Sequence, residues 1–299
     1  MEIMTKKRMM LYSGTIHPTL AHEIADNLGI PVSEGEIRRF ASGEIYFRAE
    51  ESVRGADVFV VQTHYEPVNE AIVEQLIMID AMKRASAKLV ADLLCTAGAN
   101  RCVSVDLHSG QIQGFFDAPF DHLTALPLLS SYLKDSLGLH GDDVVVVAPD
   151  AGRIKTAEKL REYLHADLAF LYKRRSRTEA HKIEEMTVVG EVDGRPCVLV
   201  DDMIDTGATL TEGVKALAAM GAGPIFTGAT HALFSGKARQ HLEEAPIDQV
   251  IVTNTVPIPE EKQFSKLRVL SIAPLIASAL RAVFEDTSVS ELFGGANQV

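Results

Sequence analysis

The chain has 299 residues and a formal charge of −12, with hydrophobic residues at 46% and charged residues at 23%. That length suggests two domains of roughly 150 residues, each large enough to bury a core, and the composition excludes a disordered or collagen-like chain. The acidic balance argues against general nucleic-acid binding, which needs a basic face, while leaving room for a small basic pocket that takes a phosphorylated metabolite.

Cys95, Cys102 and Cys197 stand far apart with no CxxC, the pattern expected of reduced, mostly buried thiols in a cytoplasmic protein. No apolar run reaches the roughly 18–20 residues of a membrane span. After Lys6, Lys7 and Arg8 only residues 9–12 are apolar before Ser13 and Gly14. That stretch is too short for a signal-peptide core and reads as a first strand.

In chain order, residues 17–28 follow as a helix ended by Gly29, then short β candidates at 35–40 and 44–47 around the turn 41–43. Buried-strand runs occur at 57–62 and 101–107, and again at 144–148, 168–172, 197–200, 225–229, 249–253 and 267–270. Between most of them lie amphipathic stretches with Ile, Leu and Ala at helical spacing. Short apolar strands separated by helices predict βαβ units with parallel sheets covered on both faces. The strands fall into two groups, with a joint near 126–134 and a tail from about 285 that packs back on the first group.

One stretch breaks the rhythm. Residues 68–97 contain no Gly and no Pro, and Ile72, Leu76, Ile79, Met82, Leu89, Leu93 and Leu94 keep helical spacing. This predicts one long helix, or two helices without a strand between them.

The strongest chemical signal is VLVDDMIDTGATL at 198–210. A buried strand ends in Asp201 and Asp202, a turn follows at Met203 and Ile204, and Asp205, Thr206, Gly207, Ala208 and Thr209 lead into a helix from Leu210. Gly207 lets the backbone approach a ligand. Thr206 and Thr209 offer hydroxyls and the helix N-terminus offers free N–H groups, together a site for a phosphate dianion. The two acids can accept from sugar hydroxyls directly or through Mg²⁺. The competing reading is an ordinary acidic loop with an N-cap.

That string resembles the phosphoribosyl-binding fingerprint of the type I phosphoribosyltransferase fold. FASGEIYFR (40–48), DAMKRASAK (80–88), VDLHSGQIQGFFD (105–117), APDAGR (148–153), YKRR (172–175) and ATHALFSGKA (229–238) extend the likeness in order over nearly the whole chain. The sequence thereby resembles the ribose-phosphate pyrophosphokinase family. The resemblance implies two tandem phosphoribosyltransferase-like α/β domains with parallel sheets flanked by helices. The first is expected at 1–134 with 285–299 packed on it, the second at 135–284. It also implies ATP and ribose 5-phosphate as substrates, Mg²⁺ as cofactor, and a homo-oligomer built from dimers, commonly a hexamer. No nucleic acid or membrane partner is expected.

By the same resemblance, His108 lies near the metal and the ATP phosphates, Asp150 binds Mg²⁺, and Gly152 and Arg153 belong to a loop that holds the pyrophosphoryl group. On residue type alone a capping Asp and a satisfied His are equally open. Ala151 departs from the family, whose other members carry His there. Lys173, Arg174 and Arg175 stand at a strand end before the polar stretch 176–185. They read either as a solvated basic turn or as a mobile loop whose cations, chiefly Lys173 and Arg175, meet charge on the transferring group. Phe40, Ser42 and Glu44 resemble a loop that covers the adenine from a neighbouring subunit, with Phe40 equally open to a core role.

The sequence departs from the family after Lys88. There the family continues with a strand, a loop resembling YxGYARQDRK and a second SAK, whereas here KRASAK runs straight into LVADLLCTAGA. Roughly two dozen residues are absent, about one strand and a long loop by ordinary lengths. The resemblance implies lost ATP contacts, and the sheet would lose a packed neighbour. A catalytically impaired regulatory paralogue and an ordinary type I phosphoribosyltransferase are the competing functions.

Overall fold

The computed structural model describes residues 8–39, 45–53, 55–82, 90–108, 110–116, 118–175 and 183–289. Strand β1 (Arg8–Ser13) is followed by helix α1 (Pro18–Leu28), which starts with Pro in its first turn and stops at Gly29 in the left-handed conformation, φ 72°. The antiparallel pair β2 (Gly35–Arg39) and β3 (Ile45–Ala49) precedes β4 (Ala56–Val61), which lies parallel to β1. Then come α2 (Val68–Met82), α3 (Val90–Ala97) and the parallel pair β5 (Cys102–Val105) and β6 (Phe120–Leu123). The described residues of 68–97 are thus two helices with no strand among them, and 83–89, which includes the retained SAK, lies outside the described residues.

The next elements are α4 (Leu126–Ser131), β7 (Val145–Ala148), α5 (Ile154–Leu164), β8 (Asp167–Arg175), β9 (Ile183–Val189), β10 (Cys197–Ile204), α6 (Ala208–Ala219), β11 (Ile225–Ala232), α7 (Ala238–Glu244), β12 (Gln249–Thr253) and β13 (Leu267–Leu270). They form one sheet in the order β13-β12-β11-β10-β7-β8-β9, parallel except for the β8–β9 pair. Its central strands are buried on both faces, and the pleat divides them. Val145, Val147, Cys197 and Leu199 face a core with Leu210, Val214 and Leu217 of α6. Val146, Ala148, Val198 and Val200 face the opposite core with Leu129 of α4 and Ala157, Leu160 and Leu164 of α5. This double burial is why 144–148 and 197–200 read as unbroken apolar runs rather than alternating ones. Each such Val or Leu contributes about 1.5–3 kcal/mol by leaving water.

The last helix, α8 (Ala273–Phe284), belongs to the first unit. Chain contacts divide the molecule into one unit up to Leu123 plus the residues from Ile272 onward, and a second unit Thr124–Ser271. This shifts both expected boundaries. The joint falls earlier than 134 because Leu126, Leu129 and Leu133 insert into the second unit's core. It falls at 272 rather than 285 because Ala279 and Ala282 of α8 bury with Leu123 against Val103 and Val105, and Arg281 donates to the Asn27 carbonyl, 3.1 Å.

Two strands escaped the sequence reading. β6 carries Asp121, which pairs with Arg101, and β9 carries Glu184 and Glu185. β9 is an edge strand, and edge strands tolerate charge. Part of the stretch expected as a mobile loop is therefore strand: Ile183 pairs with Arg175, while 176–182 lies outside the described residues.

The two units differ in how their sheets close. In the first, among the described residues, β4 pairs with β1 and β5 with β6, no ladder joins these pairs, and β4 is part-exposed along its length. Amides of β10 and β11 are therefore expected to exchange with solvent at least about a hundredfold more slowly than those of β4 and β5. Equal protection by hydrogen-exchange mass spectrometry contradicts this.

Candidate functional site

In the second unit β7 is the first strand of its sheet. The chain then builds β8 on one side of it and β10 on the other, so the order reverses between β7 and β10. Ligands of open α/β sheets bind at the carboxyl ends of the strands flanking such a reversal. The register makes the crevice concrete. β10 pairs with β7 only as far as Leu199↔Val147, yet continues along β11 to Ile204↔Ala232. Asp201 and Asp202 lie beyond the end of β7, inside β10, and the expected turn at Met203 and Ile204 is strand instead. Pairing with β11 through His231 and Ala232 carries the strand four residues past its apolar run.

Asp150 leaves β7 in an extended conformation, and its Oδ1 accepts the Gly152 N–H, 3.0 Å, which caps the short 3-10 turn Ala151–Arg153 ahead of α5. The Arg153 guanidinium reaches both acids. Nε is 2.9 Å from Asp201 Oδ1 and Nη2 is 2.8 Å from Asp202 Oδ1. The Asp202 N–H also donates to Asp201 Oδ1, 2.8 Å. Burial first, then the side-chain hydrogen bond with Asp202, push the Asp201 carboxyl up to about 7; the Asp202 N–H and Arg153 act in the opposite direction. Two adjacent carboxylates in a half-buried crevice resist ionising together.

The turn 205–209, the candidate phosphate loop, follows. Gly207 adopts φ 69° and stands at the N-cap of α6 with no side chain capping it. Asp205, Thr206, Ala208 and Thr209 are exposed, so the first-turn N–H groups of α6 stand open to a dianion. The loop is gripped from behind. The Leu233 and Phe234 N–H groups donate to the Ile204 carbonyl, 3.0 and 3.1 Å, and the Ser235 N–H to the Asp205 carbonyl, 3.1 Å. His241 Nδ1 donates to the Thr206 carbonyl, 3.0 Å, a bond that fixes its tautomer because a carbonyl only accepts. The segment ATHALFSGKA thus holds the 205–209 turn from behind. The sequence offered it as a motif, but His241 lies three residues past it and is placed only by α7.

A Cβ at Gly207 would meet Leu242 at 3.5 Å, an ordinary contact, so Gly207→Ala costs backbone strain rather than space. The expected loss is about 1 kcal/mol of stability, read as a lower midpoint in urea. An unchanged midpoint contradicts it.

Lys173 and Arg175 lie on β8, in register with Met186 and Ile183 of β9. Phe40, Ser42 and Glu44 lie outside the described residues. In the first unit, His108 is exposed on the bend after β5, at the carboxyl end of its strand. The preceding Leu107 N–H donates to His122 Nε2, 2.8 Å, so His122 on β6 anchors that bend. Nothing in the sequence set His122 apart, since β6 itself was not read.

Among the described residues no three His, Cys, Asp or Glu side chains form a ready cation cage. The oxygen donors Asp150, Asp201 and Asp202 nevertheless suit Mg²⁺, which is usually held by one or two carboxylates together with water and substrate oxygens. No helix among the described residues is long and apolar enough to cross a membrane.

Comparison with known proteins decides the family. Residues 9–101 match the N-terminal domain of ribose phosphate pyrophosphokinase, and residues 173–294 match the phosphoribosyl synthetase-associated domain. The chain is 50% identical to the ribose-phosphate pyrophosphokinase of Bifidobacterium longum, over 96% of this chain and 93% of that one. The chain belongs to the ribose-phosphate pyrophosphokinase family. The enzyme of that name from Streptomyces avermitilis is 46% identical over 96% of this chain and 97% of its own length. The crystal structure of phosphoribosylpyrophosphate synthetase from Mycobacterium smegmatis superposes with a TM-score of 0.86 at 47% identity, covering 94% of this chain and all of that one. The Bifidobacterium match spans 315 residues, more than the 299 this pyrophosphokinase-family chain possesses, so the relative carries residues with no counterpart here. An interruption such as that expected after Lys88 requires a surplus of this kind.

Proposed function

We propose that the chain is a ribose-phosphate diphosphokinase that binds ribose 5-phosphate at the β10–α6 turn and transfers to it the β,γ-pyrophosphoryl group of ATP. The sugar C1 oxygen attacks the β-phosphorus, the bond from that phosphorus to the α,β-bridging oxygen breaks, AMP leaves with that oxygen, and the hydroxyl proton passes to solvent. The carrying observation is the joint placement of Asp201, Asp202 and the open N-terminus of α6 beyond the end of β7. The first-turn N–H groups with Thr206 and Thr209 take the 5-phosphate, and Asp201 and Asp202 accept from the ring hydroxyls. Asp205, Gly207 and Ala208 complete the loop. Asp150, Gly152 and Arg153 bound the pyrophosphoryl side. Lys173 and Arg175 are assigned to the charge of the transferring group, and Phe40, Ser42, Glu44 and His108 to the nucleotide.

Mg²⁺, assigned to Asp150 and, by the family resemblance, also to His108, would supply charge neutralisation at the polyphosphate. A cytoplasmic homo-oligomer built from dimers is part of the same reading, with light scattering on the purified chain as its check.

The test is direct: purified chain, Mg²⁺, ATP and ribose 5-phosphate, with AMP followed over time. AMP formation that depends on ribose 5-phosphate supports the assignment, and ribose 5-phosphate binding without turnover supports a regulatory paralogue. The unjoined strand pairs of the first unit favour keeping that second reading. They also support the expectation that ATP binds at least about tenfold more weakly than to full-length relatives, since the loss of even one or two charged hydrogen bonds has that size. Calorimetry with a non-hydrolysable ATP analogue giving equal affinity overturns that expectation.

A further inference from the structure

Resting on the ribose 5-phosphate reading of this site, we propose that Arg153 is a latch across it. In the sugar-free protein its guanidinium occupies the carboxylate oxygens that the sugar hydroxyls need, and ribose 5-phosphate binds by displacing it.

The geometry is specific. One guanidinium spans two consecutive carboxylates through two different nitrogens, Nε at 2.9 Å from Asp201 Oδ1 and Nη2 at 2.8 Å from Asp202 Oδ1. Asp201 Oδ1 already accepts the Asp202 N–H, so Arg153 and that N–H together fill its two lone pairs, and a sugar hydroxyl donating there must replace the guanidinium. The cluster is largely withdrawn from water, with the Arg153 side chain 16% exposed and that of Asp202 7%. Such a pair is stronger than a surface ion pair and has to be broken rather than merely shared.

The backbone under the latch is pinned. The Arg153 N–H donates to the Asp150 carbonyl, 3.1 Å, and the Gly152 N–H to the Asp150 side chain. The moving part is therefore the long arginine side chain, while α5 and β10 stay in place. The exchange also conserves charge. At Asp201 Oδ1 a sugar hydroxyl replaces the guanidinium. At Asp202 Oδ1, which meets the guanidinium as an ion pair without a hydrogen bond, a second hydroxyl supplies the missing donor, and the freed guanidinium is left for the pyrophosphoryl group of ATP. A protein whose binding-competent state is only a fraction of the population binds its ligand more weakly by that fraction, and removing the latch removes this penalty.

The experiment is titration calorimetry of ribose 5-phosphate into the full chain, as wild type, Arg153→Gln and Arg153→Lys. The latch predicts that Arg153→Gln binds ribose 5-phosphate roughly fivefold to tenfold more tightly than wild type, with Arg153→Lys between them, while turnover falls in both. A plain scaffolding role predicts weaker binding in both variants. As a measurement that needs no variant, the side-chain Nε–H signal of Arg153 in ¹⁵N-arginine-labelled wild type should be protected from exchange in the free protein and lose that protection on saturation with the sugar phosphate. Wild type that binds the sugar phosphate, with variants of equal or weaker affinity or with unchanged Nε–H protection, overturns the latch alone. Wild type that does not bind it at all overturns the ribose 5-phosphate reading and the latch with it.

Discussion

Replacing Asp201 and Asp202 together by alanine is expected to reduce ribose 5-phosphate affinity by roughly a thousandfold. Each carboxylate accepts charge-assisted hydrogen bonds worth about 1.5–3 kcal/mol, or ten- to a hundredfold in affinity. The two stand side by side at the lip of one crevice, where β10 outruns β7. The double variant also leaves the Arg153 guanidinium without either acid, so its folding must be checked separately. Asp201→Asn with Asp202→Asn keeps the side-chain shape and removes only the charge. An affinity within threefold of wild type for the Asn pair would falsify the assignment of these acids to the sugar.

The second large effect is on pH. Asp201 is raised from 3.8 to about 7, chiefly by burial and then by its hydrogen bond to Asp202. A ligand that requires this carboxylate ionised must therefore drive out a proton whenever the pH lies below that value. Ribose 5-phosphate affinity is expected to fall by nearly tenfold for each pH unit below about 7 and to level off above it. The phosphate of the sugar has its own second ionisation, near 6 for a phosphate monoester, so the comparison is with Asp201→Asn, which should retain only the shallower dependence that belongs to the ligand. Parallel curves for the two proteins would contradict the shifted carboxyl.

Stability gives an independent check with a fixed sign. Because the folded value is raised, the folded chain holds a proton between about 4 and 7 that the unfolded chain has released. The contribution of this group is present in full below the unfolded value and is lost as the pH climbs toward 7. Asp201→Asn should flatten that part of the stability profile.

Much of the second unit is legible in the sequence. The runs 144–148 and 197–200 are apolar at every position because helices cover both faces of the sheet, and double burial leaves a signature that periodicity alone can read. The strand–turn–helix at 198–210 was legible for a similar reason. An aspartate pair, threonines and a glycine at φ 69° between a strand and a helix satisfy local requirements that few other sequences meet. The true end of β10 was not legible. Met203 and Ile204 read as a turn, and only the neighbouring β11, continuing through His231 and Ala232, holds them in the sheet. β9 was missed because an edge strand need not be apolar, and its glutamates hide the pattern.

Chain order, residue type and local backbone preference determined which family this is, where the candidate sugar-phosphate loop lies and where the regular alternation of strand and helix fails. These are properties of contiguous segments, and a segment carries its own hydrogen-bonding and steric demands wherever it sits. Tertiary structure alone decided that Arg153 grips both acids, that His241 and the 233–235 backbone hold the loop from behind, and that α8 packs with the first unit although it follows the second. Each of these joins residues dozens or hundreds of positions apart. Such contacts form only once several elements share a core, and no single stretch of sequence contains the energy that selects them.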